Sequence, residues 1–121
     1  MEPRPSYAGI VYWRRSLWNG LRCVPVLMTL DEGRLRAGDR RGAEVFAAPA
    51  GQVEARGTIF GTMLLTVEGR RYALVGVGAT VSPSPSREQL RRLDERTARA
   101  ELVPDLASWW EALARAGVMV R

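Results

Sequence analysis

Leu106-Ala107-Ser108-Trp109-Trp110-Glu111-Ala112-Leu113 is the stretch on which the fold reading turns. Leu106, Trp109, Trp110 and Leu113 recur at the i, i+3, i+4, i+7 spacing that brings side chains onto one face of an α-helix. Asp105 stands where an N-cap belongs, and Gly117 where a helix stops. The spacing predicts a helix over residues 105–116. Helix neighbours differ by about 100°, so Trp109 and Trp110 cannot both point inward. One is expected at the centre of the core and the other at its margin. There the marginal Trp would help bury the preceding helix or meet a second copy of the chain.

Upstream of this helix the sequence changes period. Val24, Val26, Met28 and Leu30 alternate with their neighbours, as do Val53 and Ala55, then Met63, Leu65 and Val67, then Tyr72 and Leu74. Period two is the mark of a half-buried strand. Turn signals punctuate the runs: Asn19-Gly20, Asp31-Glu32-Gly33, the loop Gly38-Asp39-Arg40-Arg41-Gly42, Pro49 to Gly51, Gly61, and Glu68-Gly69. The reading gives seven short strands, over 7–18, 22–30, 34–37, 44–47, 52–59, 62–67 and 70–77. Strands joined by short turns with no intervening helices predict an antiparallel sandwich or barrel. Pro25 predicts a local edge or bulge, because proline has no N–H to give a ladder.

Residues 78–85 are rich in Ser, Pro and Gly and read as a connection. Ser86 and Gln89 have capping-box spacing. An additional charged helix is expected over 86–102, with a thin apolar stripe of Leu90, Leu93 and Ala100 and ion pairs Glu88–Arg92 and Glu95–Arg99 at four-residue spacing. That stripe faces solvent or a partner. Val118-Met119-Val120 is apolar enough to pack back or to add a strand end.

A chain of 121 residues with 46% apolar content fits one domain with a real core. Residues 1–6 read as a flexible N-terminal arm and 7–121 as the domain. Cys23 is the sole cysteine and sits among Leu21, Val24 and Val26, as a small strand hydrophobe would. No stretch approaches the ~18 apolar residues of a membrane span, and the N-terminus lacks a signal-like apolar run. The expectation is a soluble, cytoplasmic protein. Histidine is absent, which removes the commonest general base and the commonest zinc ligand. No metal, cofactor or catalytic residue is assigned, and the chain reads as a non-enzyme. Net charge is +5, and every basic residue is Arg, whose planar fork suits phosphate and carboxylate.

Seven strands followed by an amphipathic helix with Ser108-Trp109-Trp110-Glu111-Ala112-Leu113 resemble the bacterial pleckstrin-homology-like (PH-like, GRAM-like) domains. The strand phrases Val24-Pro25-Val26-Leu27-Met28-Thr29-Leu30 and Gly69-Arg70-Arg71-Tyr72-Ala73-Leu74 are similar in kind to theirs. The resemblance covers residues 7–77 and 104–117. It implies a seven-stranded antiparallel barrel plugged by the helix that carries Leu106, Trp109, Trp110 and Leu113. It does not account for the helix over 86–102. It also implies an interaction module.

The candidate binding cluster is Trp13, Arg14, Arg15, Trp18 and Arg22, on the first strand and hairpin. In the resembled family, basic residues of that hairpin hold anionic headgroups. Here Arg14, Arg15 and Arg22 would supply forked donors, and Trp18 would sit at a membrane interface. The same residues admit an edge surface for a protein partner or a second copy, which is the favoured reading. Aromatics interleaved with Arg also admit single-stranded nucleic acid, though no module signature supports it. Arg40 and Arg41 are a secondary anion contact or simply solvated. Arg70 and Arg71 read as charges that protect an edge.

Overall fold

The computed structural model describes residues 5–14, 23–58, 61–76 and 84–121. Its strands are β1 (Tyr7–Arg14), β2 (Cys23–Asp31), β3 (Arg34–Gly38), β4 (Glu44–Pro49), β5 (Val53–Gly57), β6 (Met63–Val67), β7 (Arg70–Val75), β8 (Glu101–Leu102) and β9 (Met119–Val120). Two helices follow the first seven strands: α1 (Arg87–Thr97) and α2 (Leu106–Arg115). The fold is therefore mainly β with helices in its C-terminal part. None of the described helices is long and apolar enough to cross a membrane. Of the expected N-terminal arm, residues 1–4 lie outside the described residues. Ser6 is tied down: its hydroxyl donates to Asp31 at 2.9 Å, and its carbonyl accepts from the Glu101 N–H at 2.8 Å.

Two hairpins use one device. Glu32-Gly33 has φ of 52° and 74°, and Glu68-Gly69 has 50° and 80°. Consecutive left-handed residues give the turn twist that matches right-handed flanking strands, with Gly taking the second place at no steric cost. Register follows from these turns. Leu30 pairs with Leu35 across the first, and Val67 with Arg70 across the second. Alternation then sends Met63, Leu65 and Val67, with Val53, Ala55, Tyr72 and Leu74, into one buried cluster.

The strands form one open, mixed sheet, in which every pairing among the first seven strands is antiparallel, as expected. The order is β4-β3-β2-β1-β7-β6-β5-β9, with β8 beside β1. The two additional strands run parallel: β8 to β1 at Tyr7 and Ala8, and β9 to β5 at Glu54 and Ala55. Each follows a helix, and a helical crossover returns the chain in the direction of an earlier strand. They satisfy edge carbonyls that the hairpins leave open. Val103 N–H donates to Ala8 at 2.8 Å, and Arg121 N–H donates to Ala55 at 2.9 Å.

The helix expected over 86–102 is corrected. It ends at Thr97, and 101–102 is strand instead, because the edge of β1 offers those residues backbone partners that a continued helix would not meet. Its start is as expected: Ser86 and Gln89 form a reciprocal capping box. The apolar stripe does not seat it. Leu90 is 46% exposed, whereas Gln89 is 1% exposed. The Gln89 side-chain amide donates to the Pro25 carbonyl at 2.8 Å and to Gly38 at 3.3 Å. The last β2–β3 pair is Leu27 with Gly38, so Pro25 lies beyond it on a local edge. The amide takes the place of the missing strand. Under this helix β2 is buried on both faces: Val26, Met28 and Leu30 in the core, Leu27 and Thr29 beneath α1. Glu88–Arg92 forms at 2.9 Å, but Glu95 pairs with Arg91 at 2.6 Å, not with Arg99.

Helix α2 closes the core. Asp105 caps it by accepting from the Ser108 N–H at 2.8 Å, and the Ser108 side chain, together with that N–H, holds the Asp105 carboxyl below its usual range. Trp109 and Leu113 are fully buried, and Leu106 and Trp110 pack at the margin. The expected split between the two Trp side chains is what the fold shows. Trp110, however, sits over Gly57 beside Val120, at the far end from α1, and so does not help bury that helix. Trp109 lies against Gly9 of β1. A Cβ there would stand 3.1 Å from the indole Nε1 and would overlap the Val103 carbonyl oxygen.

Two outcomes are expected in urea denaturation. Gly9→Ala loses on the order of 1–3 kcal/mol, because the overlap is with backbone that cannot rotate away. Gln89→Ala loses about 1–3 kcal/mol, because the buried Pro25 carbonyl and the half-buried Gly38 carbonyl then lose this donor.

Candidate functional site

The end of β1 and the start of β7 build one wall of a groove of about 680 Å³. Strand alternation turns Trp13 toward the core side, and the β1–β2 register sets it opposite Val24. Across the sheet, the Glu68-Gly69 turn leads into Arg70, Arg71 and Tyr72, which all line the groove; Arg70 shares the Tyr72 face of β7, and Arg71 borders the groove from the strand's other face. The Tyr72 ring is tilted against both neighbours, 5.6 Å from Trp13 and 4.8 Å from Phe46 between centroids. Tilted aromatic pairs at this spacing are favourable beyond their buried area.

The opposite wall is the loop between β3 and β4. The Asp39 carboxylate accepts from the Arg41 and Ala43 N–H groups, both at 2.9 Å, and the Asp39 N–H returns to the Ala43 carbonyl. This closed turn presents Arg40 to the groove, followed by Glu44 and Val45 at the start of β4. Ser86 fastens the loop to α1 by donating to the Arg40 carbonyl at 2.7 Å.

Electrostatically the groove is mixed, with a basic excess. Arg40, Arg70 and Arg71 are exposed and, among the described residues, make no ion pair. Arg91, Arg92, Arg96 and Arg121, by contrast, each hold a carboxylate. Of the two groove acids, Asp39 is engaged by its own loop, and Glu44 makes no ion pair among the described residues. Among the described residues, no three His, Cys, Asp or Glu side chains gather where an ion could be held. The arrangement offers forked donors above an apolar floor.

The residues singled out in the sequence do not form one cluster. Trp13 lines the groove, while Arg14, the next residue on the strand, points to the other face of the sheet. There its Nε is buried without a hydrogen-bond partner. Arg15, Trp18 and Arg22 lie outside the described residues. Arg40 belongs to the groove, and Arg41 is exposed on the same loop. Leu106, Trp109, Trp110 and Leu113 pack the core, as their spacing predicts.

Arg70, Arg71 and Tyr72 are the residues that sequence reasoning did not assign to the site. Arg70 and Arg71, read from the sequence as edge protection, pair with Val67 and Thr66 of β6, and the described pairing of β7 with β1 covers only Ala73 to Val75. The available signal was Tyr72 on an inward position two residues after the turn. Its meeting with Trp13, about sixty residues away, depends on the strand order. No protein-family model, curated protein or solved structure matches this chain.

Exposed side chains without partners contribute little to stability. Arg40→Ala, Arg70→Ala and Arg71→Ala are each expected to leave the unfolding free energy within about 0.5 kcal/mol of the parent, measured by urea denaturation.

Proposed function

We propose that the chain is a non-catalytic, cytoplasmic interaction module of pleckstrin-homology-like architecture that binds a protein partner, or a second copy of itself, through the groove at Trp13 and Tyr72. The architecture is supported by seven meandering strands closed by a Trp-bearing helix in the core. The single observation that carries the binding role is the pairing of an aromatic floor with three arginines, Arg40, Arg70 and Arg71, that make no ion pair of their own. Arg, Trp and Tyr are the side chains enriched where interfaces concentrate their binding energy. A non-catalytic role is supported by the groove's chemistry: it has no histidine, and its two carboxylates differ in that one is held as a loop cap.

A second reading is peripheral binding to anionic lipid headgroups. It is favoured by one feature: Trp13 and Val24, which line the groove, lie in sequence on either side of the segment with Arg15, Trp18 and Arg22. Single-stranded nucleic acid fits less well, because among the described residues the floor offers one tilted aromatic pair and no row of exposed rings.

The expected outcome is that immobilised wild-type chain retains a defined protein from its native lysate, or self-associates in light scattering. Arg70→Glu with Arg71→Glu should lose that interaction with an unchanged melting temperature. A strictly monomeric wild type that retains nothing would sink the proposal. Sedimentation that distinguishes anionic from neutral vesicles, and that the double variant abolishes, would favour the lipid reading.

A further inference from the structure

The distribution of charge within the groove says more than its basic excess. Arg70 and Arg71 stand on the wall that begins β7. Arg40 stands opposite, on a wall that also carries Asp39 and Glu44. Groups of both signs therefore line the groove beside the apolar side chains Trp13, Val24, Val45 and Tyr72. A compact dianion such as a phosphate group would meet Glu44 and Asp39 as well as the guanidinium groups, and like charges brought together oppose binding. An extended ligand avoids this conflict. It can set carboxylates against Arg70 and Arg71, which accept them as forked pairs, and leave an amide N–H facing Glu44.

The space is suited to such a ligand. A groove of about 680 Å³ is of the size that takes several side chains rather than one ion. Its floor is apolar, and Tyr72 is held in place by Trp13 on one side and Phe46 on the other. A floor whose rings are already packed loses little rotamer freedom when a ligand lies on it. The β3–β4 wall is preset too, since Asp39 closes its loop and Ser86 fastens it to α1.

Resting on the reading of the groove as a protein-binding surface, we infer that its ligand is an acidic, extended protein segment. An apolar side chain of the segment lies between Trp13, Val45 and Tyr72, and its carboxylates pair with Arg70 and Arg71. Arg40 supplies the third contact from the opposite rim. The arginines that stand without partners in the free chain acquire them on binding, and Glu44 discriminates against compact phosphorylated ligands.

The test is selection of a phage-displayed random peptide library on the immobilised full chain, with the parent, Arg70→Gln/Arg71→Gln and Arg70→Glu/Arg71→Glu forms in parallel. The expected result is enrichment of peptides with acidic residues flanking an apolar one. Their binding should weaken with added salt. It should fall by about tenfold or more in the glutamine form and be lost in the glutamate form, with the melting temperature unchanged in both. Three results overturn the inference: no enrichment on the parent, an enriched pool without acidic bias, or equal binding to all three forms. Retention on phosphatidylserine vesicles that depends on Arg70 and Arg71, without peptide enrichment, overturns it in favour of a membrane ligand. If acidic peptides fail while the glutamate form still loses the lysate partner, the groove reading stands and only the acidic class falls. If neither peptide nor partner responds to the variants, both fall.

Discussion

Trp109 can reach the centre of the molecule because position 9 has no side chain. The indole occupies the space above Gly9, and the Val103 carbonyl crosses the same residue on its way into α2. Burial of an indole removes ~200 Å² from water, worth on the order of 5 kcal/mol as an upper figure. The rest of the architecture depends on this approach. β8 can lie along β1 only if Val103 passes close to Gly9, and three residues separate β8 from α2. From the other end of α2, Val118 turns back through the Leu113 carbonyl, and β9 joins β5.

β1 is the strand where these constraints meet. Along one edge it pairs with β2 over its full length. Along the other it is shared, with β8 at Tyr7 and Ala8 and β7 at Tyr12 to Arg14. The gap between them runs from Gly9 to Val11, and the α2 indole packs against Gly9 at its start. The same divergence carries Trp13 to the end of the sheet where β7 begins, beside Tyr72. The core and the groove are therefore two consequences of one strand's position. The charged helix α1 completes the outer face. It is anchored by a buried amide on two carbonyls, by Arg96 on Asp31 at 3.4 Å and by Ser86 on the β3–β4 loop. Through the last contact it borders the groove without lining it.

How much of this could be read beforehand differs by element. The strand runs of Met63, Leu65 and Val67 and of Val53 and Ala55 were legible, because a two-residue period has one physical meaning at that length. The α2 pattern was legible for the same reason, down to the division of labour between Trp109 and Trp110. The end of α1 was not, because residues 98–103 carry no breaker before Pro104. Their strand state comes from the carbonyls of Ser6 and Ala8, distant in sequence. Gln89 was legible only as a capping residue. Its second role, as donor to Pro25 and Gly38, arises where β3 stops short of β2's full length.

By itself the sequence determined the local states of the chain: where strands alternate, where Glu-Gly pairs turn it, where caps start helices, and that one Trp of two must be buried. These follow from interactions within a few residues. Only the tertiary structure decided which strands are neighbours, and therefore which side chains share a site. Trp13 and Arg14 are adjacent in sequence, yet strand alternation sends them to opposite faces. Trp13 and Tyr72 are far apart in sequence, yet β1 and β7 bring their rings to 5.6 Å. The groove is made of such non-local pairs, and no period or motif within the sequence encodes them.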